Sequence, residues 1–146
     1  MIEFGYLLPT FEGGDMVSLG VRAEEAGFDS LWVPDSPFVY GLPDPVLMLA
    51  ALASATSRVR LATGVLLAAM RQPVLLAHSL ATLDQLSGGR LIVGIGFGFN
   101  GPESERQFAA AGVPFDERIS RVTETIEILR ALWTGEPVSH VGRHFA

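Results

Sequence analysis

Two stretches of this sequence hold residues of the kind that touch ligands. Gly96, Gly98 and Gly101 in GFGFNG fit G-x-G-x-x-G directly behind an apolar run. In a dinucleotide fold that spacing admits a pyrophosphate to a helix N-terminus. Such a fold also needs an acid closing a second strand about 20 residues on, and the acids found there, Asp116 and Glu117, begin a helical stretch instead. The glycines then read either as a strand-end loop pressed against a flat ring or as a turn that binds nothing. Asn100 suits a turn as well as a ligand. Phe97 and Phe99 could wall an apolar pocket, although packing is the plainer expectation for aromatics beside a core. The second stretch ends at Asp35, an acid directly behind another apolar run and ahead of Pro37; it either does chemistry or faces solvent and shapes the turn.

The histidines add little. His78 falls inside a helical stretch and reads as a partly buried helix residue. His140 and His144 lie in a hairpin-like terminal segment with no carboxylate cluster beside them, so no metal site is expected. The sequence has no cysteine, which excludes disulfides, thiolate metal sites and thiol catalysis.

Short apolar runs alternating with helical stretches must position these residues. The predicted strands are Ile2 to Leu8, Ser30 to Val33, Val59 to Leu67 and Leu91 to Gly96. A first helix is predicted after Gly13-Gly14, with Asp15 as its cap, Met16, Leu19, Ala23 and Ala26 as buried positions and Gly27 as its stop. Pro45 can open a second helix, and Pro73 a third that runs to about Leu86. A last helix follows Pro114, with Ile119, Val122, Ile126, Leu129 and Trp133 spaced onto one face. The third and fourth strands are almost continuously apolar, as in a parallel sheet covered on both faces. Repeated βαβ units follow, in either an open doubly wound sheet or part of a (β/α)₈ barrel.

At 146 residues, 49% hydrophobic and 18% charged, the chain is expected to be a single globular domain over 1–146. A net charge of −6 argues against nucleic acid and anionic membranes as partners. No apolar run reaches the roughly 18 residues of a membrane span, and the early acid in MIEFGYLLPT does not suit a signal peptide, so a cytoplasmic protein is expected.

Four segments, in order, resemble one family: EEAGFDSLWVPD (24–35), DPVLMLAALASATSRVRLATGV (44–65), RQPVLLAHSLATLDQLSGGRLIVGIGFGFN (71–100) and GVPFDERISRVTETIEILRALWTGEPVSHVGRHF (112–145). Together they are similar to the luciferase-like monooxygenase superfamily, whose members are TIM barrels using reduced FMN or the deazaflavin coenzyme F420. The resemblance implies an α/β chain covering about the first four β/α units of the eight, a half-barrel, since a whole barrel takes about 250 residues. The segment VSHVGRHF resembles a hairpin ahead of a fifth strand.

The resemblance also assigns sites, which in such barrels lie at the C-terminal strand ends. Asp35 is the implied catalytic group. Relatives often carry His after it, where this sequence has Ser36, so the usual imidazole is missing. Thr63, Gly64 and Val65 match a strained bulge or non-proline cis peptide behind the cofactor ring; an ordinary buried strand glycine is the alternative. Arg71, after a loop from Leu66, matches a position near the pyrimidine or tail, or is a plain surface residue. Gly96, Gly98 and Asn100 match the cofactor side of the fourth strand. Arg118 and Glu124 match positions of structural use. The implied function is monooxygenation or hydride transfer on a small organic substrate, by a chain expected to be a homodimer. The alternative is a catalytically silent half-barrel that self-associates as a binding or scaffold protein.

Overall fold

The computed structural model describes residues 2–9, 15–38 and 42–146. Its strands are β1 (Gly5–Leu7), β2 (Ser30–Val33), β3 (Arg60–Leu67) and β4 (Leu91–Gly96), in one parallel sheet of order β1-β2-β3-β4. Helices α1 (Met16–Glu25), α2 (Pro45–Ala55) and α3 (Pro73–Ser87) join them in turn, and α4 (Pro102–Ala110) and α5 (Arg118–Leu132) follow β4. The α/β class with a parallel sheet is therefore as expected. β1 is shorter than the apolar run that foretold it, and Gly13-Gly14 lies outside the described residues.

The chain forms two compact units: the described residues up to Leu66 with Thr82–Gly94, and Leu67–Ala81 with Ile95–Ala146. Among the described residues no helix is long and apolar enough to cross a membrane.

In the first unit, strand alternation sorts the side chains. Leu8, Leu31, Val33 and Leu61 turn to one face and are fully buried with Leu49 and Leu52 of α2. Asp15 caps α1 by accepting the Val17 and Ser18 amides at 3.1 Å, and Asp44 caps α2 through the Val46 amide at 2.9 Å, with Pro45 behind it. Gly27, at φ 93°, ends α1 with the paired bonds Phe28 N–H to Ala23 and Gly27 N–H to Glu24, the reason a glycine stands there. Of the positions predicted to be buried on α1, Ala26 is exposed and Gly20 is buried in its place, because a side chain at Gly20 would collide with Leu52. β4 is half-buried along its length rather than covered on both faces, as its place at the sheet edge dictates.

Glu24 ties α1 to the connection between α2 and β3. Its Oε1 accepts the amides of Arg58 at 2.6 Å and Val59 at 2.9 Å, and that of Ser57 at 3.1 Å. Desolvation raises this carboxyl's pKa, but the three amides and the Arg58 charge outweigh it and hold the group below its ordinary 4.5. A pKa depressed by folding contributes stability that is complete above the ordinary value and is lost as pH falls through the folded-state value. Wild-type chain should therefore lose stability below pH 4.5, the ordinary value of this carboxyl, and Glu24→Gln should lose less of it. Urea unfolding at about pH 6 and about pH 4 checks this; equal losses in both proteins would refute it.

In the second unit, Phe108, Val113, Val122 and Ala69 form the buried cluster, with Met70, Ile95, Phe115 and Ile126 around it. Two features depart from expectation. Helix α4 was not foreseen: its buried residues are Ser104, Gln107 and Phe108, a face with only one large apolar side chain and hence little hydrophobic period. On α5, Val122 and Leu129 are buried as predicted, but Ile119 and Trp133 are exposed and Glu124, Thr125 and Ile128 take buried places. Trp133 follows the last helical turn, where its indole N–H donates to the Ala77 carbonyl at 3.2 Å. Asp116 and Glu117 lie in a short 3₁₀ turn ahead of α5, not at a strand end. No strand forms in VSHVGRHF.

Candidate active site

In the first unit, β2 and β3 run parallel with Val33 opposite Thr63, so β2 ends opposite Thr63, Asp35 follows that end, and Gly64 and Val65 continue β3 beyond it. Asp35 lies two residues beyond β2 and is only 8% exposed, which contradicts the solvent-facing alternative. Thr63 is fully buried, and its hydroxyl donates to the Gly94 carbonyl at 2.8 Å. The Gly64–Val65 peptide is cis, at the position where the resemblance places such a bond. Val65 is 44% exposed although Leu66 and Leu67 beyond it are buried. A glycine backbone at Gly64, one exposed apolar side chain at Val65 and a shielded acid at Asp35 fit the face of a flat conjugated ring and one polar edge of it.

In the second unit, Leu67 ends β3 and a 3₁₀ turn, Ala68–Met70, leads to Arg71, whose amide donates to Ala68. The expected plain loop is thus a turn with its alanines buried. Gly96 ends β4, and Gly98 has φ 78°, where a side chain would meet Phe108 at 3.1 Å. Left-handed backbone and close approach together account for glycine there. Because Gly98 is the residue turned toward Phe108, Phe97 and Phe99 on either side are 50% and 88% exposed, so the expectation that they pack is corrected.

Asn100 is held by a residue the sequence did not single out for chemistry. Arg118 donates to its Oδ1 at 2.7 Å and to the Phe115 carbonyl at 2.7 Å, and its guanidinium stacks 3.8 Å from the Phe115 ring centroid. An arginine has no acceptor, so the atom facing it must be the amide oxygen; the amide orientation is thereby set. Arg118→Met should cost about 1–2 kcal/mol, the worth of charge-assisted bonds at a half-exposed site, and Arg118→Lys should not restore it because the stack and the fork both go. Urea denaturation of the three proteins measures this, and a lysine variant as stable as wild type would contradict it.

The histidines also differ from expectation. His78 on α3 is exposed. Each of the other two has a carboxylate beside it: Glu124 meets His140 Nε2 at 2.9 Å, and Glu117 lies 3.4 Å from His144 Nδ1. These carboxylates come from α5 and the turn before it, far enough away in sequence to escape notice. Glu124, itself buried, also accepts the amides of His144 and Phe145 at 3.0 Å. Burial raises its pKa, but the bonds from His140 and the two amides prevail and lower it. Glu124 thus fastens the segment after α5. Among the described residues no group of His, Asp and Glu could hold a metal ion.

The model of the luciferase-like monooxygenase family matches residues 2–146. An F420-dependent glucose-6-phosphate dehydrogenase of Amycolatopsis mediterranei is 35% identical over 156 residues, covering 99% of this chain and 46% of the relative. The solved monooxygenase RslO1 from Streptomyces bottropensis superposes with a TM-score of 0.85 at 36% identity, over 98% of this chain and 46% of that one. The coenzyme F420 dependent tetrahydromethanopterin reductase from Methanopyrus kandleri gives a TM-score of 0.78 at 26% identity, covering 99% and 44%. The chain therefore spans about half the length of the relatives it matches, which are luciferase-like TIM barrels. With its parallel sheet and a family match over residues 2–146, the chain belongs to the luciferase-like monooxygenase family.

Proposed function

We propose that the chain carries part of the cofactor site of a flavin- or deazaflavin-dependent oxidoreductase that acts on a small organic substrate. The observation that carries this reading is the pairing of a shielded acid, Asp35, beyond the end of β2, with the Gly64–Val65 backbone of β3 just past the level at which β2 ends. Reduced FMN or reduced coenzyme F420 would supply the electron pair, or oxidised F420 would accept it from the substrate. Thr63, Gly64 and Val65 would back the ring; Gly96, Gly98, Asn100 and Arg71 are the cofactor-binding residues that the resemblance assigns within the second unit. Asp35 would be the polar group nearest the reacting atoms, with its proton chemistry unaided by an imidazole at position 36. The relatives at 35% identity named for coenzyme F420 favour the deazaflavin. Exposed Ile2 and Phe4 just ahead of β1, and Leu7 within it, support pairing of that edge with a second copy, as a homodimer.

Titration of the purified chain with FMN and with coenzyme F420, followed by ligand fluorescence during size-exclusion chromatography, tests the reading. Co-elution of either cofactor at about micromolar affinity with a defined oligomer is the expected result. Absence of binding by both would refute it.

A further inference from the structure

One side chain in the first unit has a place made for it on three strands. Trp32, in the middle of β2, turns to the sheet face opposite the buried Leu31 and Val33. A side chain on Gly5 of β1 would meet its Nε1 at 2.5 Å, and one on Gly64 of β3 would meet its Cε3 at 3.0 Å. At Gly94 of β4 an added carbon would reach 3.7 Å from its Cζ3 and collide with the Thr63 carbonyl. The indole therefore lies as a plate across the sheet, its five-membered ring toward β1 and its six-membered ring toward β3 and β4. Glycine inside a strand forfeits packing and marks a place where another group approaches closely; here three of them receive one group. The indole N–H is satisfied at 2.9 Å by the Ser30 hydroxyl, as a partly buried tryptophan requires. That bond fixes the rotation of the plate.

We propose that Trp32 is a positioning residue of the ring site: its six-membered ring is the support that sets the height and tilt of the Gly64–Val65 backbone. The proposal rests on the reading that this backbone backs the cofactor. The three atoms nearest a carbon added at Gly64 all belong to Trp32, so a shift of the indole reaches the shelf directly. Gly5 supplies the means of moving it from a distance. It lies on β1, separated from β3 by β2, and it touches the ring at the edge remote from Gly64.

The test is a double-mutant cycle read in cofactor dissociation constants, with FMN and coenzyme F420 as probes. Wild type, Gly5→Ala, Trp32→Phe and the double variant are compared, with far-UV circular dichroism confirming that each is folded. Gly5→Ala should weaken binding about fivefold or more, within the range of coupling between touching residues. Trp32→Phe should weaken it similarly, and in that background Gly5→Ala should have no further effect. The smaller ring leaves room for the added methyl and frees the Ser30 hydroxyl, which the methyl would otherwise meet at 2.9 Å, to turn away. A merely structural role would instead give effects that multiply, and that result, or unchanged binding in both single variants, overturns the proposal while leaving the ring site standing. Failure of wild type to bind either cofactor overturns the ring site and the proposal together. Should Trp32→Phe not fold, Ser30→Ala replaces it: the indole N–H loses the Ser30 hydroxyl, and weakened binding is expected where an unchanged constant would overturn the role.

Discussion

Phe108→Ala is expected to destabilise the chain by about 3–5 kcal/mol, the range for removing a buried phenylalanine ring and leaving a cavity. Phe108 is fully buried, packs with Val113, Val122 and Ala69, and meets the Phe115 ring edge-on at 5.4 Å between centroids. Its other face stands where a side chain on Gly98 would be. The loss should therefore spread in two directions. The Gly98 turn loses its backing, and Phe115 loses a neighbour on the ring that Arg118 stacks against while holding Asn100. Phe108→Leu should cost far less, about 1 kcal/mol, since most of the volume is kept. Urea unfolding gives both numbers. A loss below about 1 kcal/mol for the alanine variant would show that the cluster collapses onto the space and does not depend on the ring.

Arg90→Met should cost about 3 kcal/mol through a different mechanism. All five guanidinium N–H donors are used: Nε donates to the Ser87 carbonyl at 2.6 Å, Nη1 to Thr56 Oγ1 and the Val59 carbonyl at 3.0 Å, and Nη2 to the Ala53 and Thr56 carbonyls at 3.0 and 3.1 Å. Ala53 lies in the last turn of α2, where carbonyls have no helical partner. The arginine thus closes the end of α2, the start of β3 and the end of α3 in a single group. Each bond to a charged donor is worth about 1.5–3 kcal/mol, and water recovers part of that at a half-exposed site. Arg90→Lys should recover little, because three donors on one nitrogen cannot span five acceptors lying in a fork. Equal stability of the lysine variant and wild type, in urea or by thermal unfolding, would contradict the assignment.

Much of the fold was legible because it rests on local rules. Apolar runs closed by Pro9, Pro34 and Gly96 marked the strands. Asp15, Gly27, Pro45 and Pro73 marked helix ends by capping and backbone geometry that need no distant partner. Helix α4 escaped because its buried face is Ser104, Gln107 and Phe108, and periodicity counts only apolar residues. Phe97 and Phe99 were misjudged for the converse reason: residue type suggested burial, whereas the direction of the intervening Gly98 decides exposure.

By itself, then, the sequence determined the α/β class, the alternation of the four strands with every helix but α4, and the placing of Asp35 and the glycine loop behind apolar runs. These depend on composition, capping and period, which act over a few residues, whereas the family came from the resemblance of four ordered segments. What only the tertiary structure decided are the meetings between residues far apart in the chain. They include Arg118 on Asn100, Glu124 on the two histidine-bearing residues of the last segment, Arg90 across three elements, and Trp32 over glycines of three strands. Such meetings depend on strand register and on which face each helix presents, and no local pattern encodes them. The reach of one side chain becomes chemistry only after the sheet has brought its partner within about 3 Å.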